Sequence, residues 1–426
     1  MRSPERVPLR RLAIVFAAAA LALAVAVPMA LGHDEAGGPV TNYNTYVGGH
    51  GAANPKLSPV YVGAINTQGG QVLVGPGWTQ GVLTAIQYVN RYLGGVMGGH
   101  PLRAVYCFTT SAEEEGTKCG QRFANDKRIK VVEFGAVAVG NQSFYAALGN
   151  VKPTVGGVEL FPVDAKRKNG FALFGTNDSV LGPWGTFGKD VLHAKTASIV
   201  YMQVPGIDYG ATVEKNSLES AGIKVTMVGF PATATDLTGP LTASGAQNSD
   251  MIIPQTPANG CVAVAKALAS LGKSSTPVVS NPLCLTPEVA QGLGGDLAKW
   301  DYGIASSLGF DLSDPAVPPF VKGLTLVGQP KLAADAWVIV AWGQILTTVK
   351  LMNQIGFANM TSAKFTSTIR AFKGPQALGA PSLQCGKYPT EPAACNDQTQ
   401  FFQYQGAGKF KRITGFLRPP PTFKLE

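Results

Sequence analysis

The chain has 426 residues, of which 45% are hydrophobic and 14% are charged. This composition excludes a disordered protein, and the length favours two domains with sizeable cores. The formal net charge of +9 comes mostly from scattered lysines and arginines. Nucleic-acid binding would need a basic stripe with interleaved aromatic residues, so we expect no nucleic-acid partner.

Residues 1–32 have the pattern of a signal peptide: arginines, an apolar run over 12–29, then small residues where a peptidase could cut. We therefore predict export to the periplasm or the extracellular space. Because the apolar run approaches the ~20 residues needed to cross a bilayer, retention by an uncleaved membrane anchor is the alternative. Residues 33–56 are rich in glycine and asparagine, which predicts a flexible lead.

The six cysteines all follow the signal peptide, and an even number favours disulfides in an oxidising compartment. Their clustering predicts three local bridges: Cys107 with Cys119, Cys261 with Cys284, and Cys385 with Cys395. No Cys-x-x-Cys pair occurs and the histidines stand apart, so we expect no metal site and no cofactor.

The next part of the chain alternates apolar runs of strand length with helical periodicity. Strands are predicted at 60–65, 102–108, 129–134 and 154–158, with helices at 78–92, 117–126 and 143–148. Strands that alternate with helices through short connections predict an α/β fold with a doubly wound parallel sheet.

A second series of the same kind follows residue 174. Strands are predicted at 196–202, 224–229, 250–254 and 277–280, with helices at 181–192, 211–221 and 261–271. Near the end, residues 333–355 predict one long amphipathic helix, and 400–416 predict a hairpin with a glycine-rich turn. Two successive parallel sheets predict two similar lobes.

The order of these motifs resembles the branched-chain amino-acid binding proteins of ABC transporters, which have the type I periplasmic-binding fold. The most specific similarity is QYVNRYLGGVMGGHPL at 87–102, which looks like the family's helix ending before the second strand. Residues 177–182, 200–210 and 333–337 are similar to further family motifs. The resemblance covers about residues 57–416.

The resemblance implies two lobes joined by three crossing strands. Lobe one would comprise 57–175 and 306–380, and lobe two 176–305 and 381–426. A small molecule would bind between the carboxyl ends of the two sheets and be enclosed by a hinge motion. It further implies a monomer that delivers an amino acid, or a less polar relative, to an ABC permease.

In lobe one, the resemblance places ligand contacts in the loops after strands three and four. The candidates there are Val139, Asn141, Gly157, Val158 and Glu159. These loops lack the hydroxyl side chains of the family, although backbone amides at a helix start could hold a carboxylate. Glu159 could bind a cation, or it could be an ordinary surface residue.

In lobe two, the matching loops offer Tyr209, Gln255, Thr256 and Asn281. The Tyr209 ring could cover a ligand while its hydroxyl binds a polar group, or the side chain could be structural. Two further candidates, Gln68 and Trp78, flank the predicted entrance, and the alternative for Trp78 is the core of its helix.

The sequence contains no credible catalytic or nucleotide-binding motif. Glycines at 75, 77 and 81 have the wrong spacing for a dinucleotide loop, and no nucleophile elbow or zinc-protease motif occurs. We therefore expect a binding protein rather than an enzyme. The two alternatives are a ligand-sensing receptor component with the same fold and a secreted hydrolase.

Overall fold

A parallel five-stranded sheet, in the order β2-β1-β3-β4-β5, forms the centre of lobe one. The structure is a computed structural model, and it describes residues 38–69, 76–159, 161–204 and 206–425. The predicted signal peptide therefore lies outside the described residues. The strands are β1 (Val60–Thr67), β2 (Leu102–Thr109), β3 (Ile129–Phe134), β4 (Thr154–Glu159) and β5 (Gly170–Thr176).

Lobe two contains a parallel three-stranded sheet, β7-β6-β8, and a four-stranded sheet, β12-β11-β10-β9. A parallel bridge between Ile252 and Val278 joins them edge to edge. The strands are β6 (Thr196–Met202), β7 (Lys224–Phe230), β8 (Met251–Gln255), β9 (Val279–Ser280), β10 (Asp301–Ile304), β11 (Gln400–Gly406) and β12 (Lys409–Arg412). The predicted α/β class and the predicted hairpin are confirmed.

Helices connect most of these strands. They are α1 (Tyr43–Val47), α2 (Gly77–Tyr92), α3 (Glu113–Asn125), α4 (Asn141–Leu148), α5 (Pro162–Ala165), α6 (Asn177–Leu181), α7 (Pro183–Thr186), α8 (Ile207–Ser220), α9 (Thr238–Ala243), α10 (Ala258–Ser270), α11 (Pro287–Gly292), α12 (Val317–Leu326), α13 (Ala336–Ile355) and α14 (Ser362–Ala371). A π-helical turn, Phe187–Val191, extends α7, and short 3-10 turns precede and follow α13.

Both faces of the first sheet are covered by apolar side chains. On one face, Trp78 of α2 and Trp342 of α13 are fully buried. On the other face, Phe123 and Phe144 from α3 and α4 pack with Phe134. A parallel sheet needs this two-sided cover, which explains the continuous apolar runs of its strands.

The flexible lead predicted for residues 33–56 is wrong for the part that forms α1. Tyr46 and Val47 of α1 are buried against the core of lobe one. Lys350 donates to the backbone oxygen of Tyr46 at 3.0 Å, and Asn353 donates to that of Val47 at 2.7 Å. The glycine and asparagine content of this stretch did not reveal its two buried tyrosines.

The two lobes are joined by three chain crossings, as predicted. The first runs from β5 into α6, the second leaves β10 at Ser306, and the third covers residues 396–400. The Gln400 amide donates to the Ser306 oxygen at 2.8 Å, and the Asn396 amide donates to the Phe174 oxygen at 3.2 Å. Side-chain amides therefore tie the crossings to one another.

The third crossing comes later in the chain than the predicted boundary at residue 381. Leu383, Cys385 and Cys395 belong to the apolar core of lobe one. The Ala172 N–H of β5 donates to the Ala393 oxygen at 2.8 Å, so this segment continues the first sheet's edge.

All three predicted disulfides are present. Within the described ranges, no helix is both long and apolar enough to span a membrane.

Candidate functional site

The candidate site lies where loops from the carboxyl ends of the two sheets meet. Phe161 follows β4 in lobe one, and Gly206 precedes α8 in lobe two. A Cβ atom placed on Gly206 would be 3.0 Å from Cε1 of the Phe161 ring. The β4–α5 loop and the β6–α8 loop are therefore in direct contact across the space between the lobes.

Gln68 lies at the end of β1, beside the start of α2. It is half-buried, and its side-chain oxygen accepts a hydrogen bond from the Thr79 hydroxyl at 2.8 Å. Residues 70–75, which complete this loop, lie outside the described residues.

Trp78 does not flank an entrance. Its side chain is 0% exposed, and its indole N–H donates to the Gln344 side-chain oxygen at 3.1 Å. Gly135 allows the contact with β3, since a Cβ there would be 2.7 Å from the indole ring. The structure places Trp78 in the helix core, the alternative considered from the sequence.

The loop between β3 and α4 contains Val139, which is half-buried, and Asn141, which is 5% exposed. The Asn141 amide donates to both carboxylate oxygens of Asp164, at 3.0 and 3.1 Å. Its amide group is therefore directed at the β4–α5 segment.

Two backbone amides at the start of α4 already have an acceptor within the protein. Glu113 of α3 accepts hydrogen bonds from the Gly140 N–H at 2.9 Å and from the Ser143 N–H at 2.8 Å. A carboxylate of the protein itself occupies the position expected for an anionic ligand group. The expectation that these amides hold a solute carboxylate is therefore wrong for the Gly140 and Ser143 N–H groups.

The end of β4 holds three predicted site residues in different environments. Gly157 contacts α13, since a Cβ there would be 2.6 Å from Cγ1 of Val340. Val158 is half-buried next to the same core. Glu159 is 1% exposed, and neither carboxylate oxygen has a hydrogen-bond partner. Glu159 is therefore neither a surface residue nor part of an ion pair.

A buried polar cluster surrounds Glu159. Burial raises the pKa of the Glu159 carboxyl well above its usual range, and the negative charge of Asp164 raises it further. Arg167 lies with its guanidinium 4.7 Å from the Tyr145 ring centroid, and burial lowers its pKa. Glu391, from the segment before the third crossing, approaches the same cluster, with a pKa raised to about 9 by burial and by Asp178.

Sequence reasoning did not find this cluster. Asp164 lies in the short helix α5 and Arg167 just after it, in a stretch without a motif, and Glu391 is more than 200 residues further along the chain. The positively charged stretch at 166–168 is the only sequence signal near it.

Within the described ranges, no group of three or more histidine, cysteine or acidic side chains could hold a metal ion.

In lobe two, Gln255 and Asn281 lie side by side at the ends of β8 and β9. The Asn281 amide donates to the Gln255 side-chain oxygen, and Asn281 also accepts from the Leu283 N–H at 2.9 Å. Tyr209 is half-buried in the first turn of α8, packed against the lobe-two core. Thr256 is fully buried beside Gly260 and has a structural position.

The predicted residues therefore form two groups. Glu159 and Asn141 lie together around Asp164 in lobe one, and Gln255 and Asn281 lie together in lobe two. The first turn of α8 links the second group to the first crossing: a Cβ on Gly210 would be 2.4 Å from the Gln255 amide nitrogen and 3.2 Å from that of Asn177.

Comparison with known proteins agrees with this architecture. The sequence model of a family described as periplasmic binding protein matches residues 59–392. Among curated proteins, none matches this sequence closely enough to count as a relative.

The chain is similar in structure to several solved binding proteins. A leucine binding protein from Thermotoga maritima has 15% sequence identity and a TM-score of 0.66, over 84% of this chain and 99% of that one. A solute binding protein from R. palustris in complex with 4-hydroxybenzoate has 19% identity and a TM-score of 0.65, over 86% and 99%. A fatty acid ABC transporter substrate-binding protein from Thermomonospora curvata has 15% identity and a TM-score of 0.65, over 88% and 96%.

At these identities the structural similarity establishes the fold, and the match over residues 59–392 establishes the family. The predicted resemblance and the predicted two-lobed fold are confirmed. This chain is a solute-binding protein that belongs to the periplasmic binding protein family.

Proposed function

We propose that this protein is the exported receptor of an ABC transporter, which encloses a small solute between its lobes and delivers it to a membrane permease. The observation that carries the proposal is the contact between the loops of Phe161 and Gly206. One turn further along α8, Gly210 lies against the Gln255 amide, which is hydrogen-bonded to Asn281. Loops that meet at the carboxyl ends of two parallel sheets are the position where such folds bind ligands. We expect the receptor to act as a monomer without turnover.

The polarity of the two loop groups favours a solute without a free carboxylate. In lobe one, Val139 and Val158 are apolar, and Glu113 already occupies amides at the start of α4. In lobe two, the polar side chains at the strand ends, Gln255 and Asn281, are neutral amides. An apolar body with one neutral hydrogen-bonding group matches both surfaces better than an α-amino acid does.

The names of similar proteins support a range of solutes with a large apolar part. The structures similar to this chain include a leucine binding protein, a 4-hydroxybenzoate complex and a fatty acid binding component. We propose that this chain takes the less polar end of that range.

A thermal-shift panel with matched solutes tests the proposal. Benzamide and 4-hydroxybenzamide have the same ring as benzoate and 4-hydroxybenzoate, but a neutral amide that donates hydrogen bonds replaces the carboxylate. Leucine is the amino-acid reference. A ligand of the native state raises the melting temperature by mass action, so we expect shifts with the amides and none with leucine. A clear shift with leucine alone would contradict the neutral-solute proposal, and product formation from a panel member would indicate an enzyme instead.

A further inference from the structure

The contact between Phe161 and Gly206 joins single residues from the two lobes. A Cβ on Gly206 would be 3.0, 3.6 and 3.7 Å from three atoms of the Phe161 ring. Both residues are half-buried. The aromatic ring therefore lies directly against backbone that carries no side chain.

Hydrogen bonds within lobe one fix the backbone of Phe161. The Phe161 N–H donates to Oδ2 of Asp164 at 3.1 Å, and the Asp164 N–H donates back to the Phe161 oxygen at 2.9 Å. Asn141 donates to both oxygens of Asp164. Because Pro162 follows, Phe161 also has the extended backbone that a residue before proline prefers.

Gly206 is suited to receive the ring for two separate reasons. Its φ angle is +86°, a conformation that residues with a Cβ rarely adopt. Independently of this angle, a Cβ would meet the Phe161 ring at a distance that requires the ring to move. Gly206 also directly precedes α8, the helix that carries Tyr209 and whose Gly210 lies against the Gln255 amide.

We propose that Phe161 and Gly206 form an interlobe latch, with Asn141 and Asp164 as positioning residues, that stabilises the closed form and so sets the affinity for solute. The latch rests on the proposed function, since it acts through closure of the lobes. It assigns to Asn141 a role in holding the Phe161 loop in place of direct ligand contact.

The physical reason is that this contact can form only when the lobes are together. Opening would expose the ring and the glycine backbone to water, so the apolar contact contributes to the closed form alone. The apparent dissociation constant rises as the fraction of closed-competent protein falls. Removing the ring should weaken solute binding by about tenfold, the effect of losing a contact of roughly 50 Å² of apolar surface.

The chain offers a matched control for Gly206. Gly222, in the exposed turn after α8, has a φ angle of +85°, and a Cβ there would have no neighbour within 4 Å. Gly222→Ala therefore places a Cβ on a residue with a similar positive φ angle without touching Phe161. Comparing Gly206→Ala with Gly222→Ala controls for a side chain at positive φ, and Phe161→Ala removes the latch contact without changing a glycine.

The first experiment measures lobe opening without solute. Spin labels on an unnatural amino acid at Glu114 of lobe one and Thr233 of lobe two, both exposed, report the interlobe distance in the full chain. We expect Gly206→Ala and Phe161→Ala to shift the distance distribution towards longer values than the wild type and Gly222→Ala. Identical distributions for Gly206→Ala and Gly222→Ala would overturn the latch.

The second experiment tests the positioning residues by a double-mutant cycle on the same distance. Asn141→Ala should shift the interlobe distance distribution to longer values in the wild type and cause no further shift in the Phe161→Ala background. A general structural defect would cause a further shift in both. Additive effects would overturn the positioning role.

Adding 4-hydroxybenzamide distinguishes failure of the latch from failure of the proposed function. If this solute shortens the interlobe distance in the wild type and binds about tenfold more weakly to Gly206→Ala than to Gly222→Ala, the latch and the proposed function are both supported. If no panel solute narrows the wild-type distance, closure around solute fails, while the solute-free comparison still decides the latch. If the solute shortens the interlobe distance equally in Gly206→Ala and Gly222→Ala and binds both with equal affinity, only the latch fails.

Discussion

Gln344 of α13 donates its amide to the buried carboxylate of Glu133 on β3, at 2.7 Å. The same amide group donates to the Val155 oxygen at 2.7 Å, and its oxygen accepts from the Trp78 indole. One glutamine therefore connects two strands of the first sheet with α2, directly below the loops of the candidate site. The burial of this group of side chains determines the protonation of the Glu133 carboxyl group.

Burial raises the pKa of Glu133 from 4.5 to about 8. The folded protein therefore binds a proton that the unfolded chain releases between pH 4.5 and 8. The contribution of this group to stability is complete below about pH 4.5 and is lost as the pH rises through 8. We predict that Glu133→Gln, which stays neutral, is more stable than the wild type at pH 9, by on the order of 5 kcal/mol.

Urea unfolding of both proteins at pH 5, 7 and 9 checks this prediction. The difference in the free energy of unfolding between Glu133→Gln and wild type should increase steadily with pH. A difference that does not depend on pH would show that the Glu133 carboxyl titrates normally in the folded protein.

Trp78→Phe should reduce stability while leaving solute affinity nearly unchanged. The variant keeps an aromatic ring in the core but leaves the Gln344 oxygen without its donor, and an unpaired buried acceptor costs about 1–3 kcal/mol. Trp337→Phe is the matched control, because Trp337 lies on the same helix as Gln344 but is half-buried and has no indole hydrogen bond among the described contacts. Equal losses in the two variants would argue against the role of the Trp78–Gln344 bond.

Most of the fold could be predicted from the sequence, because strand and helix periodicities are local properties. β5 was not predicted. Its residues, including Phe171 and Phe174, are all buried, so its sequence shows no alternation of polar and apolar residues. β10 is only four residues long. Neither carries a periodic signal long enough to separate a strand from a loop.

The candidate site was less predictable because a side chain's role depends on partners far away in the sequence. Trp78 is paired with Gln344, which lies 266 residues further on. Asn141 is paired with Asp164, 23 residues away, so even a nearby partner escaped notice. The loop positions were correctly expected at the carboxyl ends of strands, but the direction of each side chain is set by tertiary packing.

Gln255→Ala should weaken the binding of 4-hydroxybenzamide by about tenfold with a smaller loss of stability, since the amide is proposed to meet the solute's polar group. Asn281→Ala should have a similar effect, and the two changes should be less than additive because the amides are hydrogen-bonded to each other. Isothermal titration calorimetry measures the affinities. Gln247→Ala, in lobe two but bonded only to Thr242 among the described contacts, is the control. Unchanged affinity in both variants would place the solute elsewhere.

Gly157 permits the close approach of β4 to α13, which makes its replacement a test of the packing beneath the site. In Gly157→Ala the new Cβ would be 2.6 Å from Cγ1 of Val340, so the Val340 side chain or the strand and the helix must shift. Overpacking of this kind costs about 1–3 kcal/mol. The double variant Gly157→Ala, Val340→Ala removes the opposing methyl groups and should recover part of the loss, as measured by urea unfolding.

A glycine without such a neighbour provides the reference for that measurement. Gly415 lies in the exposed segment after β12, outside the positive φ region, and a Cβ there would have nothing within 4 Å, so Gly415→Ala should be neutral or slightly stabilising. Because Val158 follows Gly157 directly, separation of β4 from α13 should also displace the lobe-one side of the site. We therefore expect Gly157→Ala to weaken solute binding and the Val340→Ala partner change to restore it. Restoration of stability without restoration of binding would show that the loop after β4 is positioned independently of this contact.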